Sequence, residues 1–407
     1  MFSIIVPTHN RASLLQECLN SIKDQDFSEY EVWIMDDCSI DNTEEIAKEF
    51  TKDPRFKYYR FNTNNGNPQK VLHYALSNNL CKYDYYIIIC DDDTMPNKLS
   101  LKTANDLLRQ NKDIKVILAE FPSRYGPIKL YNPNSANLPN VFYYNDICES
   151  VMSKIQFAVH KDLEQDFIYD TMHKDSVTEP SVESLCLNKW IGYDKNIEYC
   201  ISFRADNRKK YESIYTYILS ILENIYKGII NAKSTEKKID FFKKISMECF
   251  CFKMMIFYSI PDEFSDEILE YMKNSLDDKK QFFIKAEEIS KIAEKRYQNL
   301  IDNDILELNK RLLSYEEQNA IISKSKTFCI YGKTVNGESI KQQLEDKGLK
   351  FLYWLDDASN FGAKEFIKYK NKPDMIYIGA CRPSFVSNML KKLDEWDGPK
   401  LALFERG

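Results

Sequence analysis

Three consecutive carboxylates, Asp91-Asp92-Asp93, follow directly on the apolar run Ile87-Ile88-Ile89-Cys90. Such a run reads as a buried strand, so the acids fall at the rim where open α/β sheets bind ligands. Adjacent carboxylates repel one another unless a cation, or a metal carried by a phosphate, offsets them. Asp91 and Asp93 are two residues apart, and a turn at the strand end can bring both onto one ion. An oxygen-only ligand pair suits Mg²⁺ or Mn²⁺ rather than zinc. A solvated acidic turn would use the same triplet, so other segments must decide between the readings.

The elements that would position these acids begin at the amino terminus. Phe2-Ser3-Ile4-Ile5-Val6-Pro7 is a β-rich strand closed by a proline. Thr8-His9-Asn10-Arg11 follows, then a helical pattern with Leu14, Leu15, Cys18, Leu19 and Ile22 on one side. A second strand, Tyr30 to Met35, ends in Asp36-Asp37. The turn Cys38-Ser39-Ile40-Asp41-Asn42-Thr43 supplies side chains that can cap the next helix. Strand, helix, strand, helix and a further strand ending in acids describe a nucleotide-binding α/β unit.

Four segments, in order, resemble the family 2 glycosyltransferases of the GT-A fold. They are Ser3–Arg11, Asp36–Thr43, Asn65-Gly66-Asn67-Pro68, and Asp91-Asp92-Asp93-Thr94-Met95-Pro96. The resemblance implies a nucleotide-diphospho-sugar transferase domain in the first 210 residues or so, clearest up to about residue 120. It places Pro7, Thr8 and Arg11 along the donor nucleotide, Asp37 against the base and Asp36 beside it. Asp91 and Asp93 match the metal motif that holds the donor diphosphate through Mn²⁺ or Mg²⁺; Gly66, Lys70 and Asp92 complete the donor-binding set. Many relatives carry Arg-Asn after the glycine segment, where this chain has Leu72-His73. Lys70 is the nearby positive charge that could replace that arginine.

Sugar transfer leaves a diphosphate with growing negative charge, which a carboxylate-held metal neutralises. The attacking hydroxyl needs a base on the opposite face of the sugar. In the family this base precedes a helix late in the catalytic domain. Here that stretch runs from His173 to Leu185 and offers Glu179 first, Glu183 second and Asp175 third. The pattern predicts an apolar helix from Leu185 to Ile191, ended by Gly192. Each of the three acids could instead be a helix-start acid stabilised by the macrodipole.

With 407 residues, two or three domains are expected. The 43% hydrophobic and 13% aromatic content is ample for packed cores. A net charge of −6 makes nucleic acid an unsuitable partner. The strand beginning at Phe2 leaves no room for a signal peptide, and no apolar stretch reaches membrane-spanning length. The longest candidate, Cys249 to Ile260, is broken by Lys253 and reads as a buried helix. Eleven scattered cysteines without a Cys-x-x-Cys pair point to reduced thiols in a cytoplasm. His9, His73, His160 and His173 lack metal-ligand spacing and read as loop or core residues.

From residue 211 to 323 apolar residues recur at helical spacing. Ile214, Tyr217, Ile218, Ile221, Leu222 and Ile225 form one stripe; Phe241, Phe242, Ile245, Cys249 and Phe252 form another. A helical bundle is expected, serving oligomer contacts, a peripheral membrane contact or a bridge between domains. Lys237-Lys238 and Lys243-Lys244 would suit anionic lipid or a solvated face. Residues 324–407 show a second, smaller α/β pattern. The strand Thr327–Tyr331 leads into Gly332-Lys333-Thr334-Val335-Asn336-Gly337 and a helix stopped by Gly348. Strands follow at Lys350–Leu355, ending in Asp356-Asp357, at Met375–Gly379 and at Leu401–Phe404. This resembles a dinucleotide-binding Rossmann half, with Asp356 at the ribose place. Thr334, however, stands where a pyrophosphate needs a glycine, so an assembly role is the better expectation.

The reading for the whole chain is an inverting, metal-dependent glycosyltransferase of the cytoplasm or the inner membrane face. It would move a sugar from a nucleotide-sugar donor, UDP-linked for preference, to a glycan, lipid-linked or protein acceptor, with a homo-oligomer as a further partner. The alternative is a non-catalytic scaffold of a glycan-synthesis complex, which would not need Asp37, Asp91 and Asp93. A nucleotidyltransferase shares the metal-on-phosphate logic, but it usually shows a glycine-rich basic loop after its first strand. Pro7–Arg11 contains no glycine.

Overall fold

The computed structural model describes residues 1–66, 68–120, 122–125, 128–130, 138–144, 155–163, 186, 189–202, 263–380 and 383–403, with 214–215, 218–219, 222, 225–226 and 238–239. Its centre is a mixed sheet of eight strands. They are β1 (Phe2–Thr8), β2 (Tyr30–Asp36), β3 (Phe56–Arg60), β4 (Tyr85–Ile88), β5 (Ile114–Glu120), β8 (Val141–Tyr143), β9 (Ile155–His160) and β10 (Trp190–Glu198), ordered β3-β2-β1-β4-β9-β5-β10-β8. β1, β2, β3 and β4 run parallel, whereas β9 is antiparallel to both of its neighbours. Every residue of β1 is buried, Ser3 and Thr8 included, as a strand covered on both faces requires. Helix α1 (Ala12–Lys23) turns Leu15, Cys18, Leu19 and Ile22 onto the sheet. Burial of side chains of this size stabilises the layer by about 1.5–3 kcal/mol each. Helices α2 (Thr43–Phe50), α3 (Pro68–Ser77) and α4 (Ser100–Gln110) complete the crossovers between successive strands.

The strand order makes the site. Thr8 pairs in register with Asp36, and Ile5 with Ile88, so the ends of β1, β2 and β4 meet at one rim. Chain order reverses across β1, with β2 on one side and β4 on the other. A crevice at such a switch point is where open α/β sheets take ligands.

One expectation is corrected here. Trp190, Ile191 and Gly192 do not close a helix; they open strand β10, which pairs with β5 on one side and β8 on the other. Ile191 and Tyr193 are buried in the sheet, and a Cβ at Gly192 would lie 3.3 Å from both Leu107 and Ile114. The glycine admits α4 close to the sheet, and packing against that helix decides the local structure. Of the predicted helix before it, only Cys186 is described as helical.

A short three-stranded sheet joins β6 (Ser123–Tyr125), β7 (Ile128–Leu130) and β11 (Ile201–Ser202) in the order β11-β6-β7. In the helical region Ile214, Ile218, Leu222 and Ile225 are buried together with Phe264, Ile268, Phe282 and Ile289. The last four lie on helices Glu263–Met272 and Lys279–Asn309. The second predicted stripe, Phe241 to Phe252, and the segment Cys249–Ile260 lie outside the described residues.

The carboxy-terminal unit is a four-stranded parallel sheet of β12 (Thr327–Tyr331), β13 (Lys350–Leu355), β14 (Met375–Ile378) and β15 (Lys400–Leu401), ordered β13-β12-β14-β15. Phe328, Ile330, Tyr377 and Ile378 are fully buried in its core, which also receives Ile128 from β7. Gly348, at φ +86°, takes the left-handed conformation that ends helix Val335–Asp346.

Candidate active site

The loop after β1 and the loop after β2 are tied into one wall. Asn10 and Cys38 both have positive φ, 53° and 65°, a conformation that suits asparagine better than most residues. The Asn10 amide N–H donates to Ser39 Oγ at 2.9 Å, and Asn10 Oδ1 accepts the Ile40 amide at 2.7 Å. Asp41 serves the starts of two helices. Its Oδ2 accepts the Ala12 amide at 3.1 Å, and its Oδ1 accepts the Thr43 amide at 3.1 Å. Carboxylates at helix starts satisfy donors that the helix itself leaves open.

His9 joins a third loop to this wall. Its Nδ1 lies 2.8 Å from the Asp37 carbonyl oxygen, which can only accept, so Nδ1 carries the proton. Nε2 lies 2.9 Å from Asn10 Nδ2 and 3.0 Å from Asn64 Nδ2. Both amides are held in that sense, because their oxygens accept the Ile40 and Gly66 N–H groups.

Asp36 and Asp37 differ in role. Asp36 is fully buried; Ser39 N–H donates to its Oδ1 at 2.8 Å and the Tyr58 hydroxyl to its Oδ2 at 2.6 Å. It builds the turn beside Asp37. Asp37 sits at the rim. Its Oδ1 accepts from Asn65 N–H at 2.8 Å and from Asn65 Nδ2 at 2.6 Å, and its Oδ2 accepts from Gly66 N–H at 3.2 Å. A carboxylate has about four acceptor sites, so capacity remains for one further donor. Lys70 donates to the Asn65 carbonyl at 3.2 Å, at the exposed edge of the same loop.

The triplet lies across from this wall. Arg11 Nη1 is 3.0 Å from Asp91 Oδ1 and 3.2 Å from Asp92 Oδ2. Burial, with the Asp92 charge adding to it, pushes the Asp91 carboxyl up to about 6, while Arg11 and Thr8 pull the other way. The Tyr199 hydroxyl donates to Asp93 Oδ2 at 3.0 Å and accepts the Cys90 amide at 3.2 Å. Thr94 and Cys200 exchange backbone hydrogen bonds of 3.0 and 2.7 Å, which pins the chain just past the acids. Gln25, 6% exposed, donates to the carbonyls of Met95 and Asn97 and accepts the Leu101 amide. Cys18 lies beneath; burial and the neighbouring Asp91 and Asp93 charges push its thiol well up, leaving it an inert packing group.

One side-chain oxygen each from Asp92 and Asp93 and the Cys90 sulfur lie within 4.8 Å of one another. Asp93 is buried and Asp92 partly so; their two carboxylate oxygens fit a hard divalent cation that keeps water and phosphate oxygens as its other ligands. The structure thus brings together Pro7, Thr8, Arg11, Asp37, Gly66 and the three acids at one sheet edge. Asp175, Glu179 and Glu183 lie outside the described residues. Sequence reasoning missed Gln25 and Tyr199; His9, read as a loop or core residue, is the loop residue that joins the wall. Tyr199 reaches Asp93 from 106 positions away, and nothing in its local pattern marks it.

Residues 3–160 match the family model described as glycosyl transferase family 2. This amino-terminal region belongs to that family. The transferase segment is 37% identical over 105 residues to the poly(ribitol-phosphate) β-N-acetylglucosaminyltransferase TarS of Staphylococcus aureus, covering 25% of this chain and 18% of that protein. It is 36% identical over 99 residues to a GalNAc(5)-diNAcBac-PP-undecaprenol β-1,3-glucosyltransferase of Campylobacter jejuni, covering 23% and 30%. The match thus spans less than a third of either relative. The crystal structure of S. aureus TarS 1–349 in complex with UDP-GlcNAc superposes with a TM-score of 0.51 at 18% identity, covering 73% of this chain and 92% of that one. What this shows is a shared GT-A fold. Among the described residues, no helix is long and apolar enough to cross a membrane.

Proposed function

We propose that the protein is an inverting, metal-dependent transferase that moves a sugar from a UDP-linked donor to a hydroxyl of a surface glycan or glycoconjugate. The observation that carries this reading is the convergence of Asp37, Arg11 and the Asp91–Asp93 triplet on one switch-point crevice. Asp37 takes the base, because its remaining acceptor capacity matches the N3–H of uracil. Pro7 and Thr8 line the nucleotide, and Lys70 extends a cation from the loop that Asp37 holds.

Asp91 and Asp93 hold the Mn²⁺ or Mg²⁺, with Asp92 in reach as a substitute for Asp91. When bound, the cation neutralises charge that grows on the departing diphosphate. Tyr199 orients Asp93, and Arg11 neutralises the remaining acid charge. The acceptor hydroxyl loses its proton to a carboxylate of the 175–183 segment, Glu179 in the first place, with Glu183 and Asp175 after it. The acceptor classes are those named by the relatives, a polyol phosphate polymer or a lipid-linked glycan, and the enzyme works at the cytoplasmic face of a membrane. The helical region and the carboxy-terminal unit, from about residues 211 and 324, serve assembly.

The test is a donor-hydrolysis screen with UDP-, GDP- and TDP-sugars in the presence of Mn²⁺. UDP-sugar turnover that disappears with EDTA is expected. Turnover that survives EDTA, or that prefers GDP-sugars, would overturn the metal or the uridine assignment respectively. No turnover with any donor, combined with unimpaired UDP binding, would point to the scaffold.

A further inference from the structure

Cys18, Ser21 and Gln25 follow one another at helical spacing along α1 and the turn that closes it, and all three grip backbone around the acid triplet. The Cys18 thiol donates to the Cys90 carbonyl at 3.5 Å, just before the acids. Ser21 Oγ accepts the Met95 amide at 3.0 Å, just after them. Gln25 Nε2 donates to the carbonyls of Met95 at 3.2 Å, Asn97 at 3.0 Å and Ser21 at 3.2 Å. Its Oε1 accepts the Leu101 amide at 3.2 Å. That amide belongs to the first turn of α4, whose cap residue, Leu99, has no side-chain acceptor to offer it. Carbonyls only accept and the Leu101 N–H only donates, so the Gln25 amide has one orientation. Met95 and Leu101 are themselves buried, so without Gln25 their polar groups would lose a partner inside the protein, a loss relieved by moving the chain. The other end of α1 is fixed to the Asp37 wall, because Asp41 accepts the Ala12 amide.

We propose that Gln25 is a positioning residue of the transferase, setting the place of the Asp91–Asp93 turn relative to the Asp37 wall. This rests on the metal-dependent reading above and adds to it the residue that fixes the distance between the two halves of the site. The ligand that feels this distance is one that must reach both, a nucleoside diphosphate carrying a divalent cation. Gln25 touches neither the nucleotide nor the cation. It acts through Met95, whose carbonyl it holds while Ser21 holds the amide, two residues beyond Asp93. A ligand that uses the wall alone is indifferent to it.

The decisive measurement is UDP binding by calorimetry in two arms, one with saturating Mn²⁺ and one with EDTA, on the full chain. In the wild type, Mn²⁺ should tighten UDP binding. Gln25→Met keeps the length of the side chain and removes its polar groups. It should weaken UDP binding about tenfold in the Mn²⁺ arm, the size of lost buried hydrogen bonds, and leave the EDTA arm unchanged. Gln25→Glu keeps the shape and the acceptor for Leu101 but sets a carboxylate against three carbonyls, so it should bind no better than Gln25→Met. Ser21→Ala, a milder change on the same residue pair, should show a smaller loss confined to the same arm, and it decides the matter if Gln25→Met does not fold. Equal losses in both arms would mean general damage, and no loss in the Mn²⁺ arm would mean that the grip is idle; either would overturn the positioning role. Wild-type affinity in Gln25→Glu would overturn it too, because the donors would then be dispensable. A wild type whose UDP binding Mn²⁺ fails to tighten would instead overturn the metal-dependent function itself.

Discussion

Two sheets in this molecule, one mixed and one parallel, share a topological device and use it differently. In the amino-terminal sheet the order β3-β2-β1-β4 places a switch point beside β1; in the carboxy-terminal sheet β13-β12-β14-β15 places one beside β12. At the first, the strands end in Asp36-Asp37 and Asp91–Asp93, the rim is polar, and Arg11 lies across it. At the second, the crevice is filled by the protein itself. Thr334 Oγ1 donates to the Gly379 carbonyl at 2.7 Å and accepts the Gly337 amide at 3.0 Å. A Cβ on Gly337 would come within 2.7 Å of the Gly332 carbonyl oxygen, and one on Gly379 within 2.6 Å. These glycines let the helix and strands close on one another. Asp356, at the ribose position of the resemblance, accepts the Lys333 and Ala358 amides. The lesson is that one topology can end in a rim of carboxylates or in a helix and strands closed on one another.

The comparison breaks most visibly at the acids. Asp93→Asn should lower transfer by roughly two to three orders of magnitude, and Asp91→Asn by a similar factor, as expected for losing electrostatic support of a leaving group. Single-turnover assays check this, with circular dichroism confirming the fold. If Asp92→Asn is equally damaging and Asp91→Asn is mild, the cation sits on the adjacent pair that the structure clusters with Cys90.

Next in size is the base. Glu179→Gln should lose about two or more orders of magnitude in transfer while keeping UDP affinity, a split that calorimetry and kinetics together reveal. An active Glu179→Gln beside an inactive Glu183→Gln moves the base to Glu183.

A smaller effect sharpens the polar crevice. Asp37→Ala should weaken UDP binding by about tenfold or more, the value of a hydrogen bond to a charged acceptor. Part of that loss would come from the Asn65–Gly66 loop it holds. Isothermal calorimetry that found no loss would remove Asp37 from the nucleotide site.

The smallest effect tests the closed crevice. Thr334→Ala removes a helix cap and should cost about 1 kcal/mol of stability with UDP affinity unchanged. NAD(H) should show no binding to the wild-type chain by fluorescence. A micromolar dinucleotide signal that Thr334→Ala altered would mean that the second switch point is a ligand site after all.

Local sequence determined much of this protein. The strand end at Leu355, those at Pro7 and Met35 to within one residue of the observed Thr8 and Asp36, and the acids and glycines at the rims follow from short-range pattern, because strand burial depends on neighbours a few residues away. Tertiary structure decided which partners the rim residues find. Asp36 and Asp37 are both buried, and only the fold shows their different partners, Tyr58 and Ser39 for the first and the Asn65-Gly66 loop for the second. Gly192 looks like a helix stop until α4 is seen to press against a strand there. Gln25 and Tyr199 fasten the acids through contacts across 70 and 106 positions, and no local periodicity encodes a hydrogen bond of that range. Long-range polar satisfaction is a property of the folded interior, where each buried donor must find an acceptor wherever the chain brings one.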